Sequence, residues 1–466
     1  MNLEIQWFIF NVTGKKLMTQ HECDILIKNS NKNIDLSSFA QIAFDKKSEQ
    51  LDEVNAEILL DRMEKILSGS IKQAALGAPP PKKYSDNEES FEPIFSEIPG
   101  MSDEQLKSFL RKLLLSLRDN SYSNVHFSAN STPFIRNALK IEKHGNYILT
   151  AKDALRINTA LLTKEQADIF SENNELSCVL SFNEDERYRV ALMNHKDGIA
   201  GTYHLLSNCI KNLGELGFKP HTAKTITTFL NHPNGLILIT GPTGSGKTTT
   251  LASLVDIMNV KRHDHIIMIE DPIEIVQESQ NCNITQREIT THTESYTKAI
   301  KGALREDPNV IVIGELNDLE TIEIAITASE AGHLVIGTLP TGNVVNTLNW
   351  IIDIFPPSKQ PQIREMISGN LRGIVCQKLI PTIKGKTTVA CEILVNNLAV
   401  SNTISEGKHH LLKSILQTAS ELGMCTMDES IFNLYKDKII STKTALKNIK
   451  DKIQYKNKIT VSNSPK

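Results

Sequence analysis

Eight residues, 241–248, have the types and the spacing that phosphate binding requires. The run Gly-Pro-Thr-Gly-Ser-Gly-Lys-Thr fits the G-x-x-x-x-G-K-[ST] pattern, with a strand-like run before it and a helix-like run after it. The glycines let backbone N–H groups curl around phosphates, which also lie at a helix N-terminus that favours anions. Lys247 is then expected to neutralise the β- and γ-phosphates, and the Thr248 hydroxyl to hold Mg²⁺. The segment therefore predicts a nucleoside triphosphate site.

Acidic residues follow two further predicted strands. Residues 269–274 end one buried strand, and residues 312–315 end another. In a parallel sheet the functional residues gather at the carboxyl ends of the strands, so these carboxylates should converge on the γ-phosphate. One would polarise the attacking water and one would organise Mg²⁺. Solvated loop ends are the alternative, and the complete phosphate loop beside them favours a site.

Apolar strands alternate with helices around these residues. The predicted strands are 236–240, 266–270, 310–313 and 334–337, and the helix after the phosphate loop is predicted over 249–258. Such alternation implies a largely parallel sheet with helices on its faces. Beyond about residue 356 the pattern is helical, with one β-hairpin near 382–394.

The preceding half of the chain has a different organisation. A Pro-rich and acidic stretch at 70–99 predicts a linker after a small module of unknown role at 1–69. A helix begins at Ser102, which forms a plausible capping box with Gln105. Further predicted elements are strands at 124–128, 146–150 and 187–193 and a helix at 164–173. The expected boundaries are therefore 1–69, 70–99, 100–218, 219–450 and a tail at 451–466.

Composition excludes several classes of protein. In 466 residues, 51 basic and 54 acidic side chains give a net charge of −3. This balance lacks the excess of Lys and Arg that sequence-independent nucleic-acid binding requires. The seven cysteines form no CxxC pair, so we interpret them as reduced thiols. No run is long and apolar enough to cross a bilayer, and the first residues fit a strand better than a signal peptide. We expect a cytoplasmic protein without a nucleic-acid partner.

Several further motifs occur in the order found in one ATPase family. They comprise an acidic box, a Walker B segment, a histidine box and two flanking segments, at 269–274, 310–318, 325–341, 303–308 and 351–356. Residues 123–128 and 187–190 are similar to the family's SDLHLS and FRVN strands, and residues 422–428 to its G-M-Q-T-x-D segment. Over roughly 102–450, the chain resembles the PilT-type branch of the type II/IV secretion and pilus ATPase superfamily.

This resemblance implies an α/β fold with four parts. A RecA-like P-loop ATPase domain carries a helical C-terminal region, and a smaller α+β, PAS-like lobe precedes it. The small N-terminal module is an addition to the family's pattern. By resemblance, the residues that bind ATP are Gly241, Pro242, Thr243, Gly244, Ser245, Gly246, Lys247, Thr248 and Thr249.

The same resemblance assigns the remaining roles in the site. Glu274 would be the general base, Glu315 the Walker B glutamate and, with Thr248, a Mg²⁺ ligand. His333 would be the first histidine of the histidine box, near the γ-phosphate. Arg189, with Arg187 as second choice, would reach ATP from the N-terminal lobe, because a guanidinium meets phosphate bidentately and stays charged. Two solvated strand residues are the alternative interpretation of this arginine pair.

The chain also departs from the family's pattern at four places. Pro340 replaces the second histidine of the histidine box, Asn317 replaces an arginine, and His204 stands where relatives carry an arginine. The helix motif A-I-R-N-L-I-R-E is only faint at 399–406. Because proline donates no hydrogen bond, and each lost cation weakens charge stabilisation, reduced turnover is expected.

Three functions remain open at this point. The resemblance implies an ATP-hydrolysing homo-hexameric motor of a type IV pilus system, of the retraction or twitching motility type. It would act on an inner-membrane platform protein and lie at the cytoplasmic side of that membrane. The altered residues favour an alternative, an accessory ring subunit with weak hydrolysis that supports a paralogous retraction ATPase. A secretion or assembly ATPase usually carries a zinc-binding tetracysteine insert, which Cys376, Cys391 and Cys425 cannot supply.

Overall fold

The computed structural model describes residues 94–120, 122–137, 140–183, 186–205 and 210–461. The module predicted over 1–69, and the linker up to residue 93, lie outside the described residues. The described residues belong to one compact unit, 93–466. Within this unit an N-terminal lobe with an antiparallel sheet precedes a C-terminal domain with a mostly parallel sheet.

The first long helix, α1 (Asp103–Asp119), begins where the sequence predicts it. The Ser102 hydroxyl accepts a hydrogen bond from Gln105 N at 3.3 Å, and Gln105 Oε1 accepts one from Ser102 N at 2.8 Å. This capping box satisfies backbone donors that a helix start leaves without partners. The helix then buries one apolar stripe in the core of the lobe.

The predicted linker ends earlier than the sequence indicated. A 3-10 helix at Phe95–Gly100 buries both Phe95 and Ile98. The Phe95 ring meets the Phe109 ring edge-on, with centroids 5.9 Å apart. Residues 95–99 are therefore part of the folded lobe, because their two large apolar side chains complete its core.

Six strands and two further helices form the rest of the N-terminal lobe. The strands are β1 (Asn124–Ser128), β2 (Phe134–Asn137), β3 (Lys140–Lys143), β4 (Glu175–Asn183), β5 (Glu186–His195) and β6 (Gly198–Leu205), and the helices are α2 (Ala151–Thr159) and α3 (Lys164–Asn173). The sheet order is β3-β2-β1-β6-β5-β4, and all its neighbouring strands are antiparallel. The strand predicted at 146–150 is wrong: Thr150 instead caps α2 and accepts a hydrogen bond from Asp153 N.

Seven strands form the sheet of the C-terminal domain. They are β7 (Gly235–Thr240), β8 (His265–Glu270), β9 (Asn283–Glu288), β10 (Val310–Ile313), β11 (Leu334–Leu339), β12 (Leu371–Pro381) and β13 (Thr387–Val395). Their order is β13-β12-β7-β11-β10-β8-β9, with only the β12–β13 pair antiparallel. The predicted RecA-like α/β architecture is thereby confirmed, and β11 lies between the phosphate-loop strand and the Walker B strand.

Helices cover both faces of this sheet. They are α4 (Pro220–Phe229), α5 (Lys247–Lys261), α6 (Tyr296–Ala303), α7 (Leu319–Glu330), α8 (Val344–Asp353), α9 (Gln360–Asn370), α10 (Leu398–Ser405), α11 (Leu412–Thr418), α12 (Met427–Lys436), α13 (Thr442–Asn448) and α14 (Lys452–Val461). Two hydrophobic clusters, one on each face, enclose the strands. Leu213 and Phe218 belong to one of these clusters, so residues 210–218 pack with the C-terminal domain and not with the lobe to which they were assigned.

Two predictions for the C-terminal part need correction. The hairpin expected near 382–394 is longer, and its first strand, β12, lies beside β7 in the sheet. Most of β12 is buried, so its sequence lacks the alternation that marks a half-exposed strand. The predicted tail includes α14, whose Tyr455 ring packs 5.4 Å from Phe432. None of the described helices is long and apolar enough to span a membrane.

Candidate active site at the carboxyl ends of the strands

The phosphate loop connects the end of β7 to the start of α5. Gly244 and Gly246 adopt positive φ angles of 75° and 87°, where side chains with a Cβ are strained. Gly246 is the N-cap of α5 and offers no side chain to the first helical N–H groups, which leaves those donors available to an anion. Pro242, Thr243 and Gly244 are exposed at the top of the loop. The predicted strand–loop–helix context is confirmed.

Lys247 lies over this loop. Its Nζ donates a hydrogen bond to Gly241 O at 2.9 Å. Burial lowers the pKa of the Lys247 ammonium, and the negative charges of Glu315 and Glu274 oppose that shift. The charges of Glu315 and Glu274 thus act on Lys247 at the carboxyl ends of the strands, and their joint service of one phosphate site stays a prediction. Thr248 and Thr249 follow in the first turn of α5 and are half-buried.

Gln377 on β12 supports the loop from below, and the sequence analysis missed it. The side chain is 2% exposed, and its Nε2 donates to Ser245 O at 2.8 Å. A Cβ on Gly241 would lie 2.4 Å from Gln377 O, so only glycine fits against this strand. The two residues meet because β12 pairs with β7, with Cys376 opposite Thr240. Since β12 was not predicted, no signal in the sequence pointed to Gln377.

The loop that carries Glu274 is held by β9, another strand that was not predicted. Gln286 Oε1 accepts a hydrogen bond from Gln277 N at 2.8 Å, and Glu288 Oε2 accepts one from Ile273 N at 3.0 Å. These contacts lie on both sides of Glu274 in the sequence. They hold the backbone on either side of Glu274, whose negative charge acts on Lys247 of the phosphate loop.

Glu270, at the end of β8, is a buried acid within the same box. It is 4% exposed, and Gln286 Nε2 donates to its Oε1 at 2.8 Å. Burial raises the pKa of Glu270 to about 7, and the hydrogen bond from Gln286 opposes the rise. Near neutral pH this carboxyl group is therefore partly protonated, whereas a glutamate exposed to water is almost fully ionised at the same pH.

Glu315 follows β10 directly after Gly314. The backbone on either side is tied to neighbouring strands, because Gly314 N donates to Ile269 O at 2.8 Å and Leu316 N donates to Thr338 O at 2.9 Å. Asp318 instead caps α7, accepting a hydrogen bond from Thr321 N at 2.9 Å. Of these two acidic residues, Asp318 is used as a helix cap, whereas the charge of Glu315 acts on Lys247.

Arg189 on β5 connects the N-terminal lobe to the candidate site of the same chain. Its Nη1 lies 3.1 Å from Glu274 Oε1, and the two side chains are 37% and 22% exposed. Arg187 lies two residues earlier on β5, and its charge acts on Glu270. The structure therefore joins Arg189 to the predicted base, whereas the charge of Arg187 acts on the buried acid.

His204 on β6 is the direct cross-strand neighbour of Arg189. Its Nδ1 lies 3.1 Å from Asn124 Nδ2. Burial, followed by the charge of Arg189, lowers the pKa of His204, so the ring is mostly neutral at neutral pH. The lobe therefore presents one fewer fixed cation here than the family's arginine would supply.

His333 does not lie near the phosphate loop of its own chain, contrary to the prediction. It immediately precedes β11, donates from Nδ1 to Pro308 O at 2.8 Å, and its carbonyl accepts from Gly235 N at the start of β7. The six residues of β11 separate this edge from the phosphate loop by roughly 20 Å. Pro340, at the other end of β11, lies at the phosphate-loop edge, where Leu339 O accepts from Gly241 N at 3.1 Å.

The sheet order and the phosphate loop together place the C-terminal domain among the RecA-like P-loop ATPases. Residues 172–460 match the family described as Type II/IV secretion system protein. The type IV pilus retraction ATPase PilT of Pseudomonas aeruginosa is 35% identical over 72% of this chain and 96% of its own length. A twitching motility protein of Neisseria gonorrhoeae is 37% identical over 67% of this chain and 83% of its own.

A solved structure agrees with these relatives. The pilus retraction motor PilT with bound ADP is 33% identical, has a TM-score of 0.65, and covers 74% of this chain and 98% of its own. The chain belongs to the type II/IV secretion system protein family, within its PilT-type branch.

Proposed function

We propose that the protein hydrolyses ATP as one subunit of a hexameric motor that retracts type IV pili. The observation that carries the proposal is Lys247 lying over the phosphate loop, where the negative charges of Glu315 and Glu274 act on it. A lysine with two carboxylates at neighbouring strand ends suits phosphate binding and activation of water. The similarity to PilT supports the pilus role and the ring.

Each side chain has a distinct task in this proposal. The first turn of α5 and Lys247 bind the phosphates, and Glu274 accepts the proton of the attacking water. Arg189, which already contacts Glu274, stabilises negative charge that develops on the transferred phosphate. Thr248 and Glu315 supply the oxygen donors that Mg²⁺ prefers, and the bound ion would neutralise phosphate charge.

A second candidate function is an accessory ring subunit that hydrolyses ATP slowly beside a more active paralogue. Two observations favour it. Pro340 occupies the phosphate-loop edge without a hydrogen-bond donor, and His333 lies at the opposite edge. In both cases we propose a cytoplasmic position at the inner membrane, with the pilus platform protein as partner.

Steady-state ATPase activity of the full-length protein tests the proposal. Glu315→Ala should lower kcat by about 10²-fold or more, because a charged group placed at the reacting phosphate is lost. Glu330→Ala, an exposed glutamate at the end of α7, is the matched control and should leave kcat unchanged. Equal activity of wild type and Glu315→Ala would contradict hydrolysis at this site.

The accessory function is distinguished by adding a purified PilT-type paralogue. A retraction motor should hydrolyse ATP alone and restore twitching to a strain that lacks its own PilT. An accessory subunit should show little activity alone and should restore twitching only when the paralogue is present.

A further inference from the structure

A groove lies on the N-terminal lobe, on the flank of α1. Its volume is about 600 Å³, and it is bordered by α1, by the turn after α2 and by Phe182 of β4. This volume falls within the range of about 300–1,000 Å³ that is typical of ligand-binding clefts. Strand β4 is outermost in the sheet order of the lobe, so the groove opens at an edge of that sheet.

The floor of the groove is apolar. Leu161, Leu162 and Phe182 line it, and all three pack against the core of the lobe while remaining partly accessible. Leu115 of α1 completes the apolar lining. Covering such a surface with an apolar side chain lowers the free energy, because apolar area is removed from water. Binding of a small ion alone would remove little apolar area.

The rim of the groove is basic. Lys107 and Lys112 are exposed on α1, and among the described residues neither has an acidic partner within ion-pair distance. Their Cα atoms are separated by about 7.5 Å along the helix, at 1.5 Å per residue. The rim therefore presents two uncompensated positive charges above an apolar floor.

Arg111 connects the two walls of this groove. Its Nε donates to Glu186 Oε2 at 2.8 Å, and its guanidinium carbon lies 5.1 Å from the centroid of the Phe182 ring. Because these contacts hold Arg111 and Phe182 together, the wall between α1 and β4 is already formed before any partner arrives. A preformed wall lowers the entropy cost of association.

We propose that this groove binds an acidic peptide segment of a partner protein. An apolar side chain of the peptide packs on Leu161, Leu162 and Phe182, and its flanking carboxylates pair with Lys107 and Lys112. Charge complementarity favours a peptide over nucleic acid, since two rim lysines neutralise too few phosphates for useful affinity. The groove lies on a different element from the phosphate loop, so the proposal does not depend on the mechanism of hydrolysis.

The test uses full-length protein and a fluorescein-labelled peptide in which a Leu-Phe pair is flanked on both sides by acidic residues. Fluorescence anisotropy should show saturable binding that weakens with added salt. A peptide with lysines in place of the acidic residues, and one with Ala-Ala in place of Leu-Phe, should bind at least tenfold more weakly.

Two variants locate the binding. Lys107→Glu with Lys112→Glu should weaken peptide binding at least tenfold, and Leu162→Ala should weaken it about fivefold. Lys443→Glu with Lys447→Glu, an exposed pair on α13, is the matched control and should leave binding unchanged. All variants should keep the wild-type ATPase rate, which shows that the protein is folded.

Three results would overturn the proposal. The first is wild-type protein that does not distinguish the acidic peptide from the lysine peptide. The second is binding that survives the Lys107→Glu, Lys112→Glu change. The third is an absence of peptide binding together with an effect of the Lys107→Glu, Lys112→Glu change in another assay. A change in ring size would assign the groove to a second copy of the chain. Loss of sedimentation with phosphatidylglycerol vesicles would assign it to a membrane surface.

Discussion

The carboxyl ends of the parallel strands and strand β5 of the N-terminal lobe meet at Glu274 and Arg189, but the two regions are built differently. At the edge, short backbone hydrogen bonds join successive strand ends, such as Gly241 N to Leu339 O at 3.1 Å and Leu316 N to Thr338 O at 2.9 Å. The lobe reaches the same place with one long, partly exposed side chain. The carboxyl ends of the strands are therefore held in place by the sheet itself. The contribution of the lobe depends instead on its position relative to the C-terminal domain.

This difference separates two aspects of the proposed activity. In the proposal, the groups that hold phosphates lie at the carboxyl ends of the strands, and all of them belong to the C-terminal domain. In the same proposal the lobe would contribute charge to hydrolysis through Arg189, while its neighbour His204 is mostly neutral. We expect damage to the edge to abolish binding and damage to the lobe to reduce turnover while leaving binding intact.

The largest effect is expected for Lys247→Ala. This change removes the ammonium that lies over the loop and is expected to face the β- and γ-phosphates, so nucleotide affinity should fall by about 10²-fold or more. Titration with a fluorescent ATP analogue measures the change. Lys261→Ala, an exposed lysine at the end of the same helix, is the control. Unchanged affinity in Lys247→Ala would contradict the assignment of the phosphate loop as the nucleotide-binding site.

A second change tests whether support from below matters to the edge. Gln377→Glu replaces the amide donor that faces Ser245 O with an acceptor in a buried position, which should cost about 1–3 kcal/mol. ATP affinity should then fall about tenfold, at 1.4 kcal/mol per factor of ten. Gln417→Glu on α11 is an exposed control. If urea unfolding shows lower stability but ATP affinity is unchanged, Gln377 supports the fold and not the loop.

The lobe side of the comparison is tested with Arg189→Ala. Loss of this guanidinium should lower kcat about tenfold to 10²-fold, with the affinity for a nonhydrolysed ATP analogue within twofold of wild type. Arg189→Lys should recover only part of the rate, because an ammonium lacks the bidentate fork. Single-turnover hydrolysis and analogue titration separate the two quantities. A parallel loss of affinity would show that the lobe also binds the nucleotide.

The smallest effect is expected for Pro340→His. Restoring a donor at the phosphate-loop edge should raise kcat by a few-fold at most, because Asn317 and His204 remain uncorrected. The opposing effect is that the fixed φ of proline now holds the loop after β11. The ATPase rate at unchanged ring size decides between these effects. An unchanged or lower rate would mean that the missing histidine does not limit turnover.

The sequence predicted the parts of this site whose signals are local. The phosphate loop, the capping box at Ser102 and the acidic strand ends each occupy a few consecutive residues, so their chemistry is visible without a fold. The position of His333 was predicted wrongly because the histidine box spans the whole of strand β11. His333 precedes the strand and Pro340 follows it, so the two residues lie at opposite ends of the strand. Gln377 and Glu288 escaped notice because their strands were not predicted, and their contacts exist only through strand pairing.

The position of β12 has a consequence for the synthesis of the protein. Gln377 supports a loop residue 132 positions earlier in the chain. At about 5–20 residues per second, a ribosome completes that interval in roughly 7–26 seconds. During this time the nascent chain already carries the phosphate-loop motif but lacks the strand that lies against it. We therefore expect that ATP, bound as proposed, stabilises the fold only late in translation, after the hairpin of β12 and β13 has emerged.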